Sequence, residues 1–233
     1  MKEIEDILSN GIDLWQSGER ADAGRHFRRA LDLAEQSYGP DAPQIIEPLF
    51  WFSGSVAPPS STDVSQISTS ITLLQRALRI AEIHFGTDSV KLVRILSVIA
   101  INLKVIKKLE EANQYYLRAL HISETTWGDS PGVRLLLASL IDVILEMGRP
   151  AEALPYAERA LHLEEHRKDD LAPVGIGWAC RALGRCLMGV GRNAEAALYL
   201  ERCLTIFKAR HPGKKTILED EILGWLEELR KRP

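Results

Sequence analysis

The stretch from Ala112 to Leu120 reads ANQYYLRAL and carries the pattern that decides the fold. Ala112 is followed four residues later by Tyr116 and then, after three more, by Ala119, so these residues lie on one face of a helix. The closing Arg-Ala-Leu triplet recurs along the chain. Its central residues stand at intervals of 47, 42, 41 and 43 residues and are Ala30, Ala77, Ala119, Ala160 and, with one change, Cys203. This regularity indicates an internal repeat.

Each triplet lies in the second of two helices that together form one repeat. The spacing of a small residue, an apolar residue and a second small residue returns in the other repeats, as Ala23/Phe27/Ala30, Ser70/Leu74/Ala77, Ala153/Ala157/Ala160 and Ala196/Leu200/Cys203. In most repeats a second periodic segment precedes it and stops at a glycine, such as Gly18, Gly148 or Gly191. Glycine directly after a periodic segment is typical of a helix end. The repeat is therefore a helix-turn-helix unit.

We predict one domain over residues 1–233. Its helix pairs span approximately residues 2–37, 42–84, 89–126, 132–167 and 173–210. An irregular loop is expected over 53–64, because Pro58 and Pro59 cannot continue a helix. Over 216–231 the residues Leu218, Ile222 and Leu226 begin an apolar stripe opposite several glutamates. We expect this last segment to be a helix that caps the open end of the repeats.

The helix-turn-helix pattern resembles the tetratricopeptide repeat (TPR), and its period of about 42 residues resembles the variant found in kinesin light chains. The linkers that begin at Gly39, Gly86 and Gly128 are similar to that variant's Gly-Asp-His-Pro connection, although none contains the histidine. The fourth linker, around Lys168, lacks the glycine. The resemblance implies an all-α fold: a right-handed superhelical α-solenoid of about five antiparallel helix pairs with a C-terminal capping helix.

The resemblance also implies a binding surface. Stacked helix pairs curve and so acquire a concave side, and in the family resembled the first helix of each pair lines it. The register carries the following groove positions over to this chain: Leu8, Ile12, Trp15, Phe50, Arg94, Ser97, Ile101, Lys104, Leu135, Asp142, Trp178, Arg181, Arg185 and Met188. The expected partner is another protein or peptide.

Arg181 and Arg185 stand four residues apart, on one helix face, where like charges repel unless something neutralises them. An acidic segment of a partner would do so. Asp142 of the preceding repeat, or solvent, is the alternative. Trp15 and Trp178 are similarly either interface anchors or part of the packing within the stack.

Composition limits the other classes of partner. Hydrophobic residues make up 45% of the chain and the formal net charge is -3, so there is no basic excess to attract nucleic acid or an anionic membrane. The first residues are acidic where a secretory signal would be basic, and no apolar run is long enough to span a membrane. We therefore predict a cytoplasmic protein.

The three cysteines, Cys180, Cys186 and Cys203, are odd in number and form no CxxC pair, which argues against a disulfide framework or a zinc knuckle. Cys180 and Cys203 fall in the core register, whereas the position of Cys186 is left open. His162 and His166 stand four apart but lack the HExxH pattern, and they precede a charged stretch typical of a solvated helix end. We expect no catalytic residue, no metal and no cofactor.

The leading hypothesis is a protein-interaction module, an adaptor or scaffold that binds a peptide or protein segment. The charge of Arg181 and Arg185 favours a segment with acidic residues. The alternative is a regulator or immunity-type antagonist that clamps one specific effector protein. An enzyme with an unrecognised site is the remote alternative, and the sequence predicts that the protein is not an enzyme. Phe50, Trp51 and the proline-rich loop form an irregular apolar region, so a homo-oligomer is also open.

Overall fold

The computed structural model describes residues 2–212 and 216–231. Over these residues it is built of α-helices and short 3-10 turns, without strands, which confirms the all-α prediction. The helices are α1 (Lys2–Ser17), α2 (Arg20–Tyr38), α3 (Ile46–Val56), α4 (Val64–Phe85), α5 (Val93–Val105), α6 (Leu109–Trp127), α7 (Pro131–Glu146), α8 (Pro150–Glu165), α9 (Ala172–Gly189), α10 (Asn193–Arg210) and α11 (Ile217–Lys231). The odd-numbered helices up to α9 are the first helices of the five predicted pairs.

The chain separates into two compact units, residues 1–126 and 127–233. In the first unit, α1 packs on α2, α2 on α3, α3 on α4 and α4 on α5. In the second unit, α7 packs on α8, α8 on α9, α9 on α10 and α10 on α11. Packing of each helix on the next is the arrangement of a helical repeat protein. The assignment of all 233 residues to a single domain stays a prediction.

Small residues let the two helices of a pair approach closely. A Cβ atom on Gly11 of α1 would lie 2.7 Å from the ring of Phe27 on α2, and one on Gly184 of α9 would lie 2.7 Å from Leu200 on α10. Phe27 and Leu200 are fully buried. In both helix pairs a glycine therefore faces a large side chain, because a packed core leaves no room for two large side chains at this point.

The turns between helices use the backbone freedom of glycine. Gly18, between α1 and α2, has φ of +93°, and Gly39, after α2, has φ of +90°. Residues with a Cβ atom rarely adopt this conformation. Helix α1 ends at Ser17, as predicted from Gly18.

The irregular loop is shorter than the predicted span of 53–64, because α3 continues to Val56. The hydroxyl groups of Ser53 and Ser55 donate to the carbonyls of Phe50 and Phe52, at 2.6 and 2.7 Å, so these serines are accommodated within the helix. The chain leaves the helix at Ala57, next to Pro58. Helix α4 then begins at Val64, where the Asp63 carboxylate accepts hydrogen bonds from the backbone N–H groups of the first turn.

In the second, third and fifth helix pairs, the arginine of the repeated triplet links the pair to the preceding one. Arg76 contacts Glu35 at 2.5 Å, and Arg118 contacts Glu82 at 2.5 Å and donates to the carbonyl of Thr87 at 2.8 Å. In the second unit Arg202 contacts Glu165 at the same distance. These arginines hold the last turn of the preceding pair, and in the first unit also its linker.

None of the described helices is long and apolar enough to cross a membrane.

Candidate functional site

In the second unit, a cleft of about 290 Å³ opens between α7 and α9. Residues three and four apart on each helix line it, because these positions share one helix face. They are Pro131, Arg134, Leu135, Ala138 and Ile141 on α7, and Gly175, Trp178, Ala179 and Ala182 on α9. Ala160, Glu164 and Arg167 complete the lining from α8 and the linker after it.

Two large apolar side chains on the walls of this cleft are open to solvent. Leu135 is 71% exposed and Trp178 is 49% exposed. The alanines between them are too small to fill the cleft. The Trp178 ring is oriented by Phe207, which it meets edge-on with ring centroids 5.1 Å apart. A preformed apolar cleft with an exposed aromatic wall is a typical docking surface.

One end of the cleft is polar. Glu164 is buried there and contacts both Arg134 and Arg167, each at 3.3 Å. The carboxylate lies where a side chain on Gly175 would stand, so α9 can pass over Glu164 only because residue 175 is a glycine. On its solvent side Arg167 also contacts Asp169 at 2.5 Å, and this contact lowers the pKa of the Asp169 carboxyl. Two guanidinium groups are therefore fixed around one buried carboxylate.

The two arginines that were expected to attract an acidic partner have carboxylates within the protein. Arg181 makes a two-oxygen contact with Glu221 of α11, at 2.9 to 3.2 Å. Arg185 lies 3.5 Å from Asp142, the neutralising residue that the sequence had suggested as the alternative. Both guanidinium groups also lie over the Trp225 ring, at 5.3 and 5.6 Å from its centroid. The charge of this pair is balanced locally.

In the first unit the predicted groove residues make individual contacts with neighbouring side chains. Arg94 lies over the ring of Phe50 at 4.0 Å and forms an ion pair with Glu47. Trp15 is half-buried and packs near Phe27, with ring centroids 6.3 Å apart. Leu8, Ile12, Ser97 and Lys104 are half-buried, while Ile101 is exposed. The structure thus brings Phe50 and Arg94 together.

Within the second unit the structure brings Leu135 and Trp178 to one cleft, whereas Met188 is half-buried and does not line it. Sequence reasoning missed Arg134, Gly175 and Ala182 as lining residues. A helical-face argument could have found them, because each lies within four residues of Leu135, Ala138 or Trp178. The ion pairs of Arg134 and Arg167 with Glu164 could not have been found from spacing on one helix face.

The titratable candidates outside the cleft give no reactive group. Burial raises the pKa of the Cys180 thiol to about 11 and that of Cys186 and Cys203 to about 12, so all three are protonated at neutral pH. Cys186, whose position the sequence left open, is fully buried. The rings of His162 and His166 lie 4.1 Å apart. Among the residues that the structure describes, no group of three metal-ligating side chains is brought together.

The fold and the cleft define the chain as an α-helical repeat protein with a TPR-like fold. It is similar to a kinesin light chain of Podosopora anserina with nearly identical TPR-like repeats, with a TM-score of 0.75 and 13% identity over 91% of this chain and 98% of that one. BtubC (BKLC) from P. vanneervenii gives a TM-score of 0.74 and 19% identity over 91% of this chain and 83% of that one.

A Rap protein complexed with Competence and Sporulation Factor is also similar, with a TM-score of 0.60 and 15% identity over 99% of this chain and 64% of that one. No protein-family model and no curated protein sequence matches the chain. At these levels of identity the similarities establish the fold, which confirms the expected TPR-like repeat fold.

Proposed function

We propose that this protein is an interaction scaffold that holds a peptide or protein segment in the cleft between α7 and α9. The observation that carries the proposal is the pair of exposed apolar walls, Leu135 and Trp178, on either side of a preformed cleft. The proposed role is binding, not catalysis. On the sequence grounds given above, we place the protein in the cytoplasm.

The energy of such binding would come mainly from apolar burial. Full burial of one large apolar side chain contributes about 1.5–3 kcal/mol, so covering two partly exposed walls contributes several kcal/mol before ordering costs. The walls are carried by helices and Trp178 is braced by Phe207, so little conformational entropy is lost on the protein's side. An anchor side chain of the partner would enter between the walls.

Acidic residues of the partner are proposed to make a smaller contribution than the sequence suggests. Arg181 and Arg185 each have a carboxylate of the protein itself within contact distance, so a partner's carboxylate would have to share or replace it. Exchange of one ion pair for another changes the free energy little. We therefore expect selection by shape and apolar character first, and by acidity second.

A regulator or antagonist that clamps one effector is the second candidate. Its support is the similarity of nearly the whole chain to a Rap protein that was crystallised with a specific factor bound. A general adaptor would bind several unrelated segments through the cleft. A dedicated regulator would bind a single kind.

Selection from a displayed library of random dodecapeptides tests the proposal. Peptides that bind the full chain should lose binding when Ala138→Trp fills the cleft, and they should keep it with Ala151→Trp, which adds the same bulk at an exposed position of α8. Several unrelated sequence families among the binders would favour an adaptor, and a single family a regulator. A library that gives no binder, or binders unaffected by Ala138→Trp, would contradict the proposal.

A further inference from the structure

The first unit has a second open surface, which we call the arginine cleft. It has a volume of about 720 Å³ and lies between α2 and the end of α3. Its rim carries Arg20, Arg25, Arg28 and Arg29 of α2, and its lining includes a single acidic residue, Asp32. The apolar part of the lining is Leu33 of α2 with Phe52 and Val56 of α3.

On α3, the arginine cleft lies on a different face from the predicted groove position. The predicted groove position on α3 is Phe50, whereas the cleft is lined by Phe52, Ser55 and Val56. Phe52 is about 200° around the helix from Phe50, at about 100° per residue. A ligand in the arginine cleft therefore meets a different face of α3 from one that contacts Phe50.

The arginines are available to an acidic ligand although they have local partners. Arg25 pairs with Asp22, Arg28 Nε donates to Asp32 at 3.0 Å, and Arg29 lies 3.9 Å from Glu3. Each of these three arginine side chains is more than half exposed. Exposed ion pairs contribute little, so an incoming carboxylate can join or replace them at small cost.

Two of the guanidinium groups are oriented by aromatic rings. Arg20 lies 3.8 Å above the centroid of Trp15, and Arg28 lies 5.4 Å from that of Phe52. Stacking on a ring restrains the plane of a guanidinium and leaves its N–H edges for a carboxylate.

The dimensions of the cleft distinguish between anionic ligands. Its lining extends along α2 from Arg20 to Gln36, a length of about 24 Å at about 1.5 Å per residue. One small anion would occupy only a fraction of that length and would not use the apolar lining. The protein as a whole is negatively charged, so its long-range field does not favour a polynucleotide.

We propose that the arginine cleft binds an amphipathic acidic polypeptide segment. Its apolar side chains contact Leu33, Phe52 and Val56, and its carboxylates face the arginine rim. This site is additional to the cleft between α7 and α9 and does not depend on it.

A fluorescein-labelled helical peptide of alternating glutamate and leucine patches serves as the probe, with a glutamine-for-glutamate peptide as its neutral counterpart. Fluorescence anisotropy with the full chain should show binding of the acidic peptide. The double variant Arg25→Gln, Arg28→Gln should weaken it about tenfold, the effect expected for removing several weak charge contacts. The double variant Arg79→Gln, Arg210→Gln removes the same charge at two exposed arginines outside the cleft, on α4 and α10. It is the matched control and should leave binding unchanged.

The proposal would be overturned by equal binding of the neutral peptide, by equal losses in the cleft variant and the control, or by displacement of the probe by a single-stranded oligonucleotide of the same charge. The Ala138→Trp variant should bind the probe as tightly as wild type. A loss with that variant and none with the double variant would place the peptide in the cleft between α7 and α9 instead.

Discussion

Gly184 and Leu200 illustrate at the scale of single residues how the repeat packs. The glycine lies in the first helix of the fifth pair and faces a fully buried leucine in the second. At the corresponding positions of the fourth pair the sequence has Ile141 and Ala157, with the large residue on the first helix. The large and the small residue exchange helices between the two pairs, because a packed core has room for only one large side chain at this point.

Gly184→Ala should therefore lower the free energy of unfolding by about 1–3 kcal/mol, since the new methyl group overlaps Leu200 in a closed core. Gly224→Ala is the control. Gly224 lies on α11, and a Cβ atom there would meet nothing within 4 Å. This substitution should therefore be neutral or raise the free energy of unfolding by up to about 1 kcal/mol. Urea denaturation measures both, and equal effects of the two variants would contradict the packing described.

The buried cysteines predict a pH dependence. Burial raises the pKa of all three thiols above the value of about 9 that they have in the unfolded chain. Above that pH the unfolded chain loses thiol protons that the folded protein retains up to pH 11–12, so folding stability falls as the pH rises through this window.

In urea denaturation the free energy of unfolding should decline less between pH 9 and 11 for Cys186→Ala than for wild type, relative to each protein's value at pH 7.

At pH 7 the thiols of the wild-type protein should react with Ellman's reagent only when the protein unfolds. Rapid reaction of the folded protein would show that a thiol is accessible.

At the scale of helices, the triplet arginines connect successive pairs. Arg118 and Glu82 are 34% and 28% exposed, whereas Arg79 and Asp41, which also form an ion pair, are each 58% exposed. Charges that are less exposed are screened less by water and salt. The link between pairs should therefore be stronger where it uses the repeated arginine.

A double-mutant cycle with Arg118→Met and Glu82→Gln should give a coupling energy of about 1 kcal/mol, and the same cycle on Arg79 and Asp41 about 0.3 kcal/mol or less. Chemical denaturation at low and moderate salt provides the values. Equal coupling energies in the two ion pairs would show that the triplet arginine contributes no more than another exposed arginine to joining the repeats.

At the scale of the whole chain, the sequence was sufficient for the helix pairs because their period, small-residue spacing and terminal glycines are local features. It was not sufficient for the partner of Arg181, because Glu221 lies forty residues further on, in a helix whose docking depends on tertiary packing. The sequence predicted Leu135 and Trp178 as groove positions, and both line the cleft between α7 and α9. It did not predict Arg134 beside Glu164, because that contact also depends on tertiary packing. Local spacing predicts faces, and packing decides which side chains meet across them.

We have proposed that the cleft between α7 and α9 receives a polypeptide segment, and the signal of Trp178 reports on it directly. The chain has five tryptophans, so a two-dimensional NMR spectrum should contain five indole N–H signals, which variants assign one by one. Titration with a peptide selected on the full chain should shift the signal of Trp178 strongly and leave that of Trp51 in place. A Trp178 signal that stays unchanged at saturation, while the peptide is bound, would show that the peptide does not occupy the cleft.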